Sequence, residues 1–393
     1  MFKIQTLNTI AVAGLNLFPR EYYEIASDIK NPNAILVRSH AMHEMTIPAS
    51  TQVVGRAGAG LNNIPVAALT KRGIPVLNTP GANANAVREL VMAGMLLASR
   101  NIPQALNYVT SLATNNNLEQ MIEQHKKQFV GFELLGKTLG VIGLGNVGVR
   151  VANAAMSFGM KVIGYDPSIT VNHAWMLSSE VKKARSIDDL VMEADFITFH
   201  VPLMPATKHL LNAARFNLMK KGIVLLNFSR MGIIDEEALV DALNEDKVHI
   251  YVTDFPTEIL RNHPRVISLP HLGASTKEAE ENCAMMLANQ IREFLENGSI
   301  TNAANFPSLS VPTLSTPARL AIVNANIPNM VAQISAKLAA ARLNIVSLLN
   351  QSREDIAYTV IDLALPINQE TLDEIAKIAG ILQLRVMTHH QTQ

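Results

Sequence analysis

The chain has 393 residues, with 33 basic and 33 acidic side chains, so its formal net charge is zero. This balance argues against nucleic acid as a partner, because nucleic-acid-binding domains normally carry excess positive charge. A hydrophobic fraction of 48% is typical of a globular protein, and the length predicts two or three domains. No apolar run reaches the roughly 18 residues of a membrane span. The single cysteine, Cys283, excludes an intramolecular disulfide and a Cys-rich zinc site. We expect a cytoplasmic protein without membrane contact or bound metal.

Short apolar runs alternate with helical stretches over the first 89 residues. Residues 9–12 are predicted to form the first strand, and 34–37, 53–54 and 76–77 to form strands of a parallel sheet buried on both faces. Residues 89–99 are apolar at nearly every position, which predicts a buried helix. Since so apolar a helix is unusual on a monomer's surface, we expect a homo-oligomer, either dimer or tetramer.

From residue 118 onward a helical stretch (118–129) leads into a regular strand–helix alternation. Strands are predicted at 139–142, 161–165, 196–200, 223–228, 249–252 and 266–269. Alternation of this kind predicts a second doubly wound parallel sheet. A long helix, 277–296, is expected to end at Asn297-Gly298, a C-cap signal.

The C-terminal part is set off by residues 303–317, which are rich in Pro, Ser, Thr and Asn and indicate a linker. Beyond it, strands are predicted at 319–324, 345–348, 357–363 and 384–387, with helices at 331–341 and 371–378. The order β-α-β-β-α-β is typical of a small ferredoxin-like domain.

A glycine motif marks a candidate nucleotide site. Gly143-Leu144-Gly145-Asn146-Val147-Gly148 directly follows a predicted strand and opens a helix, the context that a dinucleotide-binding motif requires. The glycines permit, in order, a tight turn, close approach of a pyrophosphate and close packing of helix on strand. Asp166 ends the next strand, where a carboxylate accepts from the ribose hydroxyls and repels a 2′-phosphate. The motif therefore predicts NAD rather than NADP.

Three later segments carry side chains suited to hydride-transfer chemistry. Arg230, Glu258 and His271 follow successive predicted strands, and parallel strands place their carboxyl ends at one edge of the sheet. An arginine binds a carboxylate through its planar fork. A histidine exchanges protons near neutral pH, and a carboxylate beside it would orient the ring. Together the three indicate oxidation of an alcohol, or reduction of a ketone, next to a carboxylate.

These motifs resemble those of the D-isomer-specific 2-hydroxyacid dehydrogenases. The resemblance rests on Gly55-Arg56-Ala57-Gly58-Ala59-Gly60, Asn78-Thr79-Pro80-Gly81, the glycine motif, Ser229-Arg230 and His271-Leu272-Gly273. It implies that Arg230 orients the substrate, that His271 is the acid/base and that Glu258 is its partner. It also implies a cofactor site formed by Thr79, Gly143, Gly145, Asn146, Val147, Gly148, Asp166, Val201, Phe228, Ser229, Asp254 and Gly273.

The same resemblance implies a domain organisation. Residues 1–89 and 273–302 would form a substrate-binding domain and 90–272 an NAD-binding Rossmann domain, with the substrate cleft between them. Residues 303–317 would be the linker and 318–393 a regulatory domain that resembles the ACT domain. Asn326 and Asn344, in two loops of that last domain, would hold an L-serine effector across a dimer interface. The alternative is that this domain only mediates assembly.

Within the family, 3-phosphoglycerate is the expected substrate, oxidised to 3-phosphohydroxypyruvate in the first step of serine biosynthesis. Arg56 and Gly58 are the expected phosphate ligands, with Arg38 and Arg88 behind them. One alternative is another D-2-hydroxyacid dehydrogenase, of the glyoxylate or hydroxypyruvate reductase type. A second is an NAD-sensing adaptor similar to the transcriptional corepressors that share this fold.

The chain departs from the family pattern at two places near the expected site. Met231 takes a position after Ser229-Arg230 where glycine is usual, so it bears on the fit of the substrate. Thr253-Asp254-Phe255 replaces the usual Asp-Val-Phe, which shifts the acid by one residue and puts a contact between Asp254 and the nicotinamide carboxamide in question.

Overall fold

The computed structural model describes residues 1–112 and 117–388. Residues 113–116, in the expected NAD-binding domain, and 389–393, at the end of the expected regulatory domain, lie outside the described residues. The chain divides into two compact units, residues 1–82 with 280–393, and residues 83–279. Within the described ranges no helix has the length and hydropathy needed to cross a membrane.

The first unit begins with a five-stranded sheet in the order β2-β1-β3-β4-β5, in which all neighbours are parallel. The prediction of a strand at residues 9–12 is wrong. The first strand lies earlier, where backbone partners are available on both sides, while Ile10 is apolar because it packs into the core from a loop. The strands are β1 Phe2–Leu7, β2 Tyr23–Ala26, β3 Ala34–Val37, β4 Val53–Arg56 and β5 Val76–Leu77, with helices α1 Val12–Leu15 and α2 Val66–Lys71.

The second unit is built on a seven-stranded sheet in the order β12-β11-β10-β9-β6-β7-β8, also parallel throughout. Apolar cores cover both faces, which confirms the doubly wound arrangement. The strands are β6 Thr138–Ile142, β7 Lys161–Tyr165, β8 Lys182–Lys183, β9 Phe196–Phe199, β10 Ile223–Asn227, β11 Val248–Thr253 and β12 Val266–Ser268. The helices are α3 Ala84–Ser99, α4 Ile102–Ser111, α5 Leu118–His125, α6 Asn146–Ser157, α7 Val171–Met176, α8 Ile187–Glu193, α9 Ala213–Leu218 and α10 Glu236–Asn244, and a 3-10 turn, Lys126–Phe129, follows α5.

The apolar helix α3 packs inside its own unit. Val91 and Met95 are fully buried in the core that also holds Leu139 and Phe196. The composition of residues 89–99 is therefore explained by this packing and gives no argument for a second copy. Exposed apolar side chains lie instead on α4 and α5, in neither of which is any residue buried.

The chain returns to the first unit through α11, Lys277–Arg292, which continues as a π-helical turn, Glu293–Asn297. The predicted C-cap is confirmed, because Gly298 has a left-handed φ of 84°. A four-stranded antiparallel sheet in the order β14-β15-β13-β16 follows, and it confirms the predicted β-α-β-β-α-β sequence of elements. Its elements are β13 Ala318–Ala325, α12 Met330–Ala340, β14 Ile345–Arg353, β15 Ile356–Leu363, α13 Gln369–Ala376 and β16 Ile381–Thr388.

The C-terminal sheet is buried on both faces along its central strands, β13 and β15, whereas the edge strand β14 is largely exposed. Its helices cover one face, where Leu320 and Ile361 meet Ile334 and Ile375. Side chains from the other face join the core of the first sheet, and this shared cluster includes Val323, Tyr358, Met387, Ile4, Leu36 and Phe294. The expected linker contributes to the same core, since Phe306 is 1% exposed. Residues 303–317 are thus packed against the sheets that they connect.

Candidate active site

The glycine-rich loop between β6 and α6 has the shape of a nucleotide cradle. Gly143 has a φ of 92°, and a Cβ there would lie 2.6 Å from the His200 carbonyl oxygen. A Cβ on Gly148 would lie 1.9 Å from the Gly143 carbonyl oxygen, so only glycine allows this approach of helix to loop. Around the same point on Gly145, no atom of the described residues other than its chain neighbours lies within 4 Å. The loop therefore leaves open space over the N-terminus of α6, which begins at Asn146.

The first turn of α6 is ready to bind an anion. Gly145 precedes the helix and supplies no side-chain cap, so the N–H groups of the first turn, including that of Val147, donate no hydrogen bond to a capping side chain. The positive end of the helix dipole adds to the attraction for a phosphate. The Asn146 side chain reaches His173, with 3.3 Å between Oδ1 and Nε2.

Asp166 is held against the glycine loop at the carboxyl end of β7. Its Oδ2 accepts the N–H of Leu144 at 2.8 Å, and its Oδ1 accepts the N–H of Ser168 at 2.8 Å. The carboxylate is thereby fixed beside the cradle, in the place where a dinucleotide-binding fold puts the acid for the ribose hydroxyls.

A histidine that the sequence analysis did not single out lies next to this loop. His200 directly follows β9, and its Nε2 is 3.1 Å from Oγ1 of Thr198. Burial lowers the pKa of His200 to about 3, so the imidazole is neutral around pH 7. Its position immediately after a buried strand, like that of Asp166, was the signal available in the sequence.

The loop after β10 carries Arg230 and is organised by Asn227, a further residue that the sequence analysis did not assign to the site. Asn227 is 2% exposed, and its Oδ1 accepts the N–H of Ser229 at 3.1 Å while its Nδ2 donates to the Arg230 carbonyl at 2.8 Å. The Ser229 hydroxyl donates to the Val201 carbonyl, and Phe228 is buried. The Arg230 guanidinium donates to the Ser229 carbonyl at 2.6 Å and is exposed at the end of the loop.

The loop after β12 carries His271 in a left-handed conformation, with a φ of 58°. The ring is exposed and its centroid lies 4.9 Å from that of Phe255. Asp254 is 1% exposed, and its two oxygens accept the N–H groups of Leu272 at 2.9 Å and Gly273 at 2.7 Å. The carboxylate expected to contact the cofactor is thus engaged with the backbone that follows His271.

Glu258 is not brought together with His271 in this structure. Its side chain is 84% exposed and forms an ion pair with Arg261, with 2.9 Å between Oε2 and Nε. Glu258 and Arg261 are three positions apart on an exposed turn, so the Arg261 guanidinium is within reach of the Glu258 carboxylate. Met231, which replaces a family glycine, is 50% exposed beside Arg230.

The expected phosphate ligands lie in the first unit. The Arg56 Nε donates to the Arg38 carbonyl at 2.8 Å, and a Cβ on Gly58 would lie 3.6 Å from that Nε. Arg38 is paired with Glu280 at 2.6 Å, so its charge is already balanced. Thr79, expected near the cofactor, is fully buried. Arg88, expected behind Arg56, lies on α3 in the second unit and pairs with Glu89.

Comparison with known proteins identifies the family. Residues 92–273 match the model of the D-isomer specific 2-hydroxyacid dehydrogenase NAD binding domain. Over 403 aligned residues, the chain is 33% identical to D-3-phosphoglycerate dehydrogenase of Haemophilus influenzae, with 97% of this chain and 94% of that protein covered. The chain belongs to the D-isomer specific 2-hydroxyacid dehydrogenase family.

Other members of the family align with part of their length. The chain is 38% identical over 320 residues to D-3-phosphoglycerate dehydrogenase of Methanocaldococcus jannaschii, covering 79% of this chain but only 59% of that relative. A crystal structure of NAD⁺-bound 3-phosphoglycerate dehydrogenase from Entamoeba histolytica superposes with a TM-score of 0.60 at 27% identity, covering 78% of this chain and 99% of that one. The α/β architecture is therefore that of the 2-hydroxyacid dehydrogenases.

The residues of this family member fit its cofactor, NAD. The open space at Gly145 and the uncapped first turn of α6 suit a pyrophosphate, and Asp166 suits an unphosphorylated ribose. These features lie within the matched NAD binding domain.

Proposed function

We propose that the chain catalyses the NAD-dependent oxidation of 3-phospho-D-glycerate to 3-phosphohydroxypyruvate, the first step of serine biosynthesis. The observation that carries this proposal is the 33% identity with the Haemophilus influenzae D-3-phosphoglycerate dehydrogenase along nearly the whole of both chains. The geometry supports it, because Arg230 and His271 lie on loops at the carboxyl ends of strands in one sheet.

Each of the proposed catalytic side chains has a distinct task. When bound, NAD would supply the acceptor for the hydride that leaves C2 of the hydroxyacid. In this direction His271 takes the hydroxyl proton and must therefore be neutral at the start. Arg230 binds the carboxylate next to the reacting carbon. Glu258 stabilises the His271 imidazolium after its ion pair with Arg261 has broken. Because an exposed ion pair contributes about 0–1 kcal/mol, breaking it requires little free energy.

Arg56 is the proposed ligand of the substrate phosphate, with Gly58 beside it. Its guanidinium donates from Nε to the Arg38 carbonyl at 2.8 Å and from Nη1 to Oδ1 of Asn62 at 3.5 Å, and these bonds orient the fork. The hydrogen at Gly58 leaves room directly against this group. Arg38 supports Arg56 through its backbone, since its own side chain is committed to Glu280.

A homodimer or homotetramer is the proposed assembly, and α4 and α5 support it. Leu106 is 62% exposed, Val109 49% and Leu118 45%. Tyr108 contacts His125 and Phe129, with ring centroids 5.5 Å and 5.3 Å away, so the two helices form one arm. Apolar side chains exposed along a paired arm suit burial against another subunit.

L-serine is the proposed effector of the C-terminal sheet, which we take to be an ACT-like domain. Asn326 lines an open groove of about 430 Å³ together with Asn324 and Asn350. Asn344 lies near the other end of β15, on the order of 25 Å away along the strand. A single effector held by both Asn326 and Asn344 therefore requires two copies of the domain.

The substrate assignment is tested with a substrate panel on the wild type and Arg56→Ala. We expect the wild type to use 3-phosphoglycerate with NAD in the presence of a phosphohydroxypyruvate trap, and to use NADP poorly. In Arg56→Ala, kcat/KM for 3-phosphoglycerate should fall about 10- to 150-fold, since a hydrogen bond to a charged group is worth about 1.5–3 kcal/mol. Turnover of unphosphorylated hydroxyacids should change little.

Arg72→Ala is the matched control for this experiment. The Arg72 guanidinium donates to the carbonyls of Ile47 and Pro48 in the same unit, at 2.9 and 3.0 Å, and we expect its loss to leave substrate preference unchanged. A wild type that turns over glyoxylate, pyruvate or hydroxypyruvate but not 3-phosphoglycerate would contradict the substrate and leave the family in place. NAD binding without turnover of any of these acids would favour an adaptor.

The effector is tested by steady-state kinetics with millimolar L-serine. We expect the rate to fall in the wild type and to stay unchanged in Asn326→Ala and Asn344→Ala, because each loses one side of the proposed contact. D-serine is the control for a nonspecific effect. A wild-type rate indifferent to L-serine would rule out this regulation and leave assembly as the role of the C-terminal domain.

A further inference from the structure

A buried polar connection runs beneath the two proposed catalytic loops. At one end the Asn227 side chain binds the backbone on both sides of the Ser229–Arg230 peptide. At the other end Asp254 binds two consecutive N–H groups, those of Leu272 and Gly273. The two sites of attachment are the loops that carry Arg230 and His271.

The two halves of this connection are bonded to each other. The Asp254 N–H donates to the Asn227 carbonyl at 3.1 Å, and the Thr253 hydroxyl donates to the same oxygen at 3.3 Å. Asn227 ends β10 and Thr253 ends β11, which are neighbouring strands. The position of one loop is thereby tied to that of the other through rigid strand ends.

Both ends are shielded from water. Asn227 is 2% exposed, Thr253 is fully buried and Asp254 is 1% exposed. A buried carboxylate is tolerated when hydrogen bonds replace its hydration, and here each oxygen accepts an N–H. An amide in its place would keep one acceptor and turn an NH₂ group toward the other N–H, so Asn does not substitute for Asp.

The loop is shaped to receive this carboxylate. A Cβ on Gly273 would lie 3.1 Å from Oδ2 of Asp254, so glycine lets the backbone approach closely. His271, immediately before the bonded pair, has a φ of 58°, which is uncommon for a residue other than glycine. Bonds to the next two residues are the means of holding His271 in this conformation.

We propose that Asp254 is a positioning residue for His271, acting through the backbone of Leu272 and Gly273, rather than a contact of the nicotinamide carboxamide. Thr253, not an acid, stands where the family pattern has Asp, and its hydroxyl is used within the strands. Because the acid is shifted by one residue, the Asp254 carboxylate contacts the loop after His271 instead of the cofactor. This inference rests on the proposed role of His271 in catalysis.

The test is Asp254→Asn, measured for kcat and for the Kd of NADH by fluorescence. We expect kcat to fall about 10- to 100-fold, the scale of loss when a hydrogen-bonding partner that orients a metal ligand is replaced, with the Kd unchanged within twofold. Asp235→Asn is the control, since Asn keeps the N-cap that Asp235 provides to α10 and should leave kcat unchanged.

A second variant covers the case in which Asp254→Asn does not fold. Gly273→Ala places a methyl group against the Asp254 carboxylate and should also lower kcat. In the variant that combines Asp254→Asn with Gly273→Ala, the two reductions in kcat should not add, because both substitutions disrupt the same contact between Asp254 and the loop. A fivefold or greater rise in the Kd of Asp254→Asn, or an unchanged kcat in both variants, would overturn the inference. A wild type without turnover would remove the proposed function, and this inference with it, before any substitution is made.

Discussion

Replacing His271 with alanine should lower kcat by about 10²- to 10⁴-fold, the contribution usual for a general acid or base. The ring is exposed and contacts the Phe255 ring, so its removal takes little packing from the core. The Kd of NADH should remain near that of the wild type, because the glycine loop and Asp166 are untouched. Stopped-flow or steady-state turnover and fluorescence titration measure the two quantities.

Two further variants separate chemistry from backbone strain. His209 also has a left-handed φ, of 49°, and His209→Ala should lose comparable local stability while keeping turnover. His271→Asn keeps a residue that tolerates this conformation but cannot act as the base, so it should be as inactive as His271→Ala. If His271→Asn retained more than a tenth of the wild-type kcat, another group would have to be the acid/base.

Replacing Arg319 with alanine should lower the free energy of unfolding by about 3–5 kcal/mol, the usual cost of breaking a buried ion pair from one side. Arg319 is 1% exposed and binds Asp362 through two nitrogens, at 2.5 and 2.9 Å. Its remaining nitrogen donates to the carbonyls of Asn297 and Pro312 at 3.0 and 2.8 Å. The substitution leaves a carboxylate and two carbonyls without this partner in a site that water scarcely reaches.

Urea unfolding of the whole chain measures this loss. Lys337→Ala is the matched control, because Lys337 and Glu374 form an exposed pair in the same C-terminal sheet domain, and its removal should cost about 0–1 kcal/mol. Arg319→Met combined with Asp362→Leu should recover much of the loss, since it removes both charges together. Equal stabilities of Arg319→Ala and Lys337→Ala would show that the buried pair stabilises the fold no more than an exposed one.

Residues 303–317, in the same region, are packed more closely than their composition indicates. Proline, serine and asparagine are frequent there, and this pattern is typical of a linker. Phe306 and Leu309 are nevertheless buried between the two sheets, and the Arg353 side chain donates to the Ala303 carbonyl at 3.0 Å. A segment of this composition becomes ordered when it packs between two apolar surfaces. The local sequence of the segment contains no information about those surfaces.

Much of the architecture follows from the sequence by itself, because the signals are local. Continuous apolar runs, the two- or three-turn helices between them and the glycine motif are properties of a few neighbouring residues, and they predicted both parallel sheets and the ferredoxin-like end. The wrong prediction of a strand at residues 9–12 also comes from relying on local signals. Ile10 is apolar because it packs into the core, and the few residues around it do not distinguish a buried loop from a strand.

Only the tertiary structure decided which partners the polar side chains of the site take. Asp254 binds residues 18 and 19 positions away, while Glu258 pairs with Arg261 just three positions on. Both are acids in one short segment. The family resemblance implied His271 as the partner of Glu258, and for Asp254 it implied a cofactor contact that the shifted sequence put in question. Hydrogen-bond partners depend on which strand ends are neighbours and on which groups are buried, and these are settled when the sheet forms.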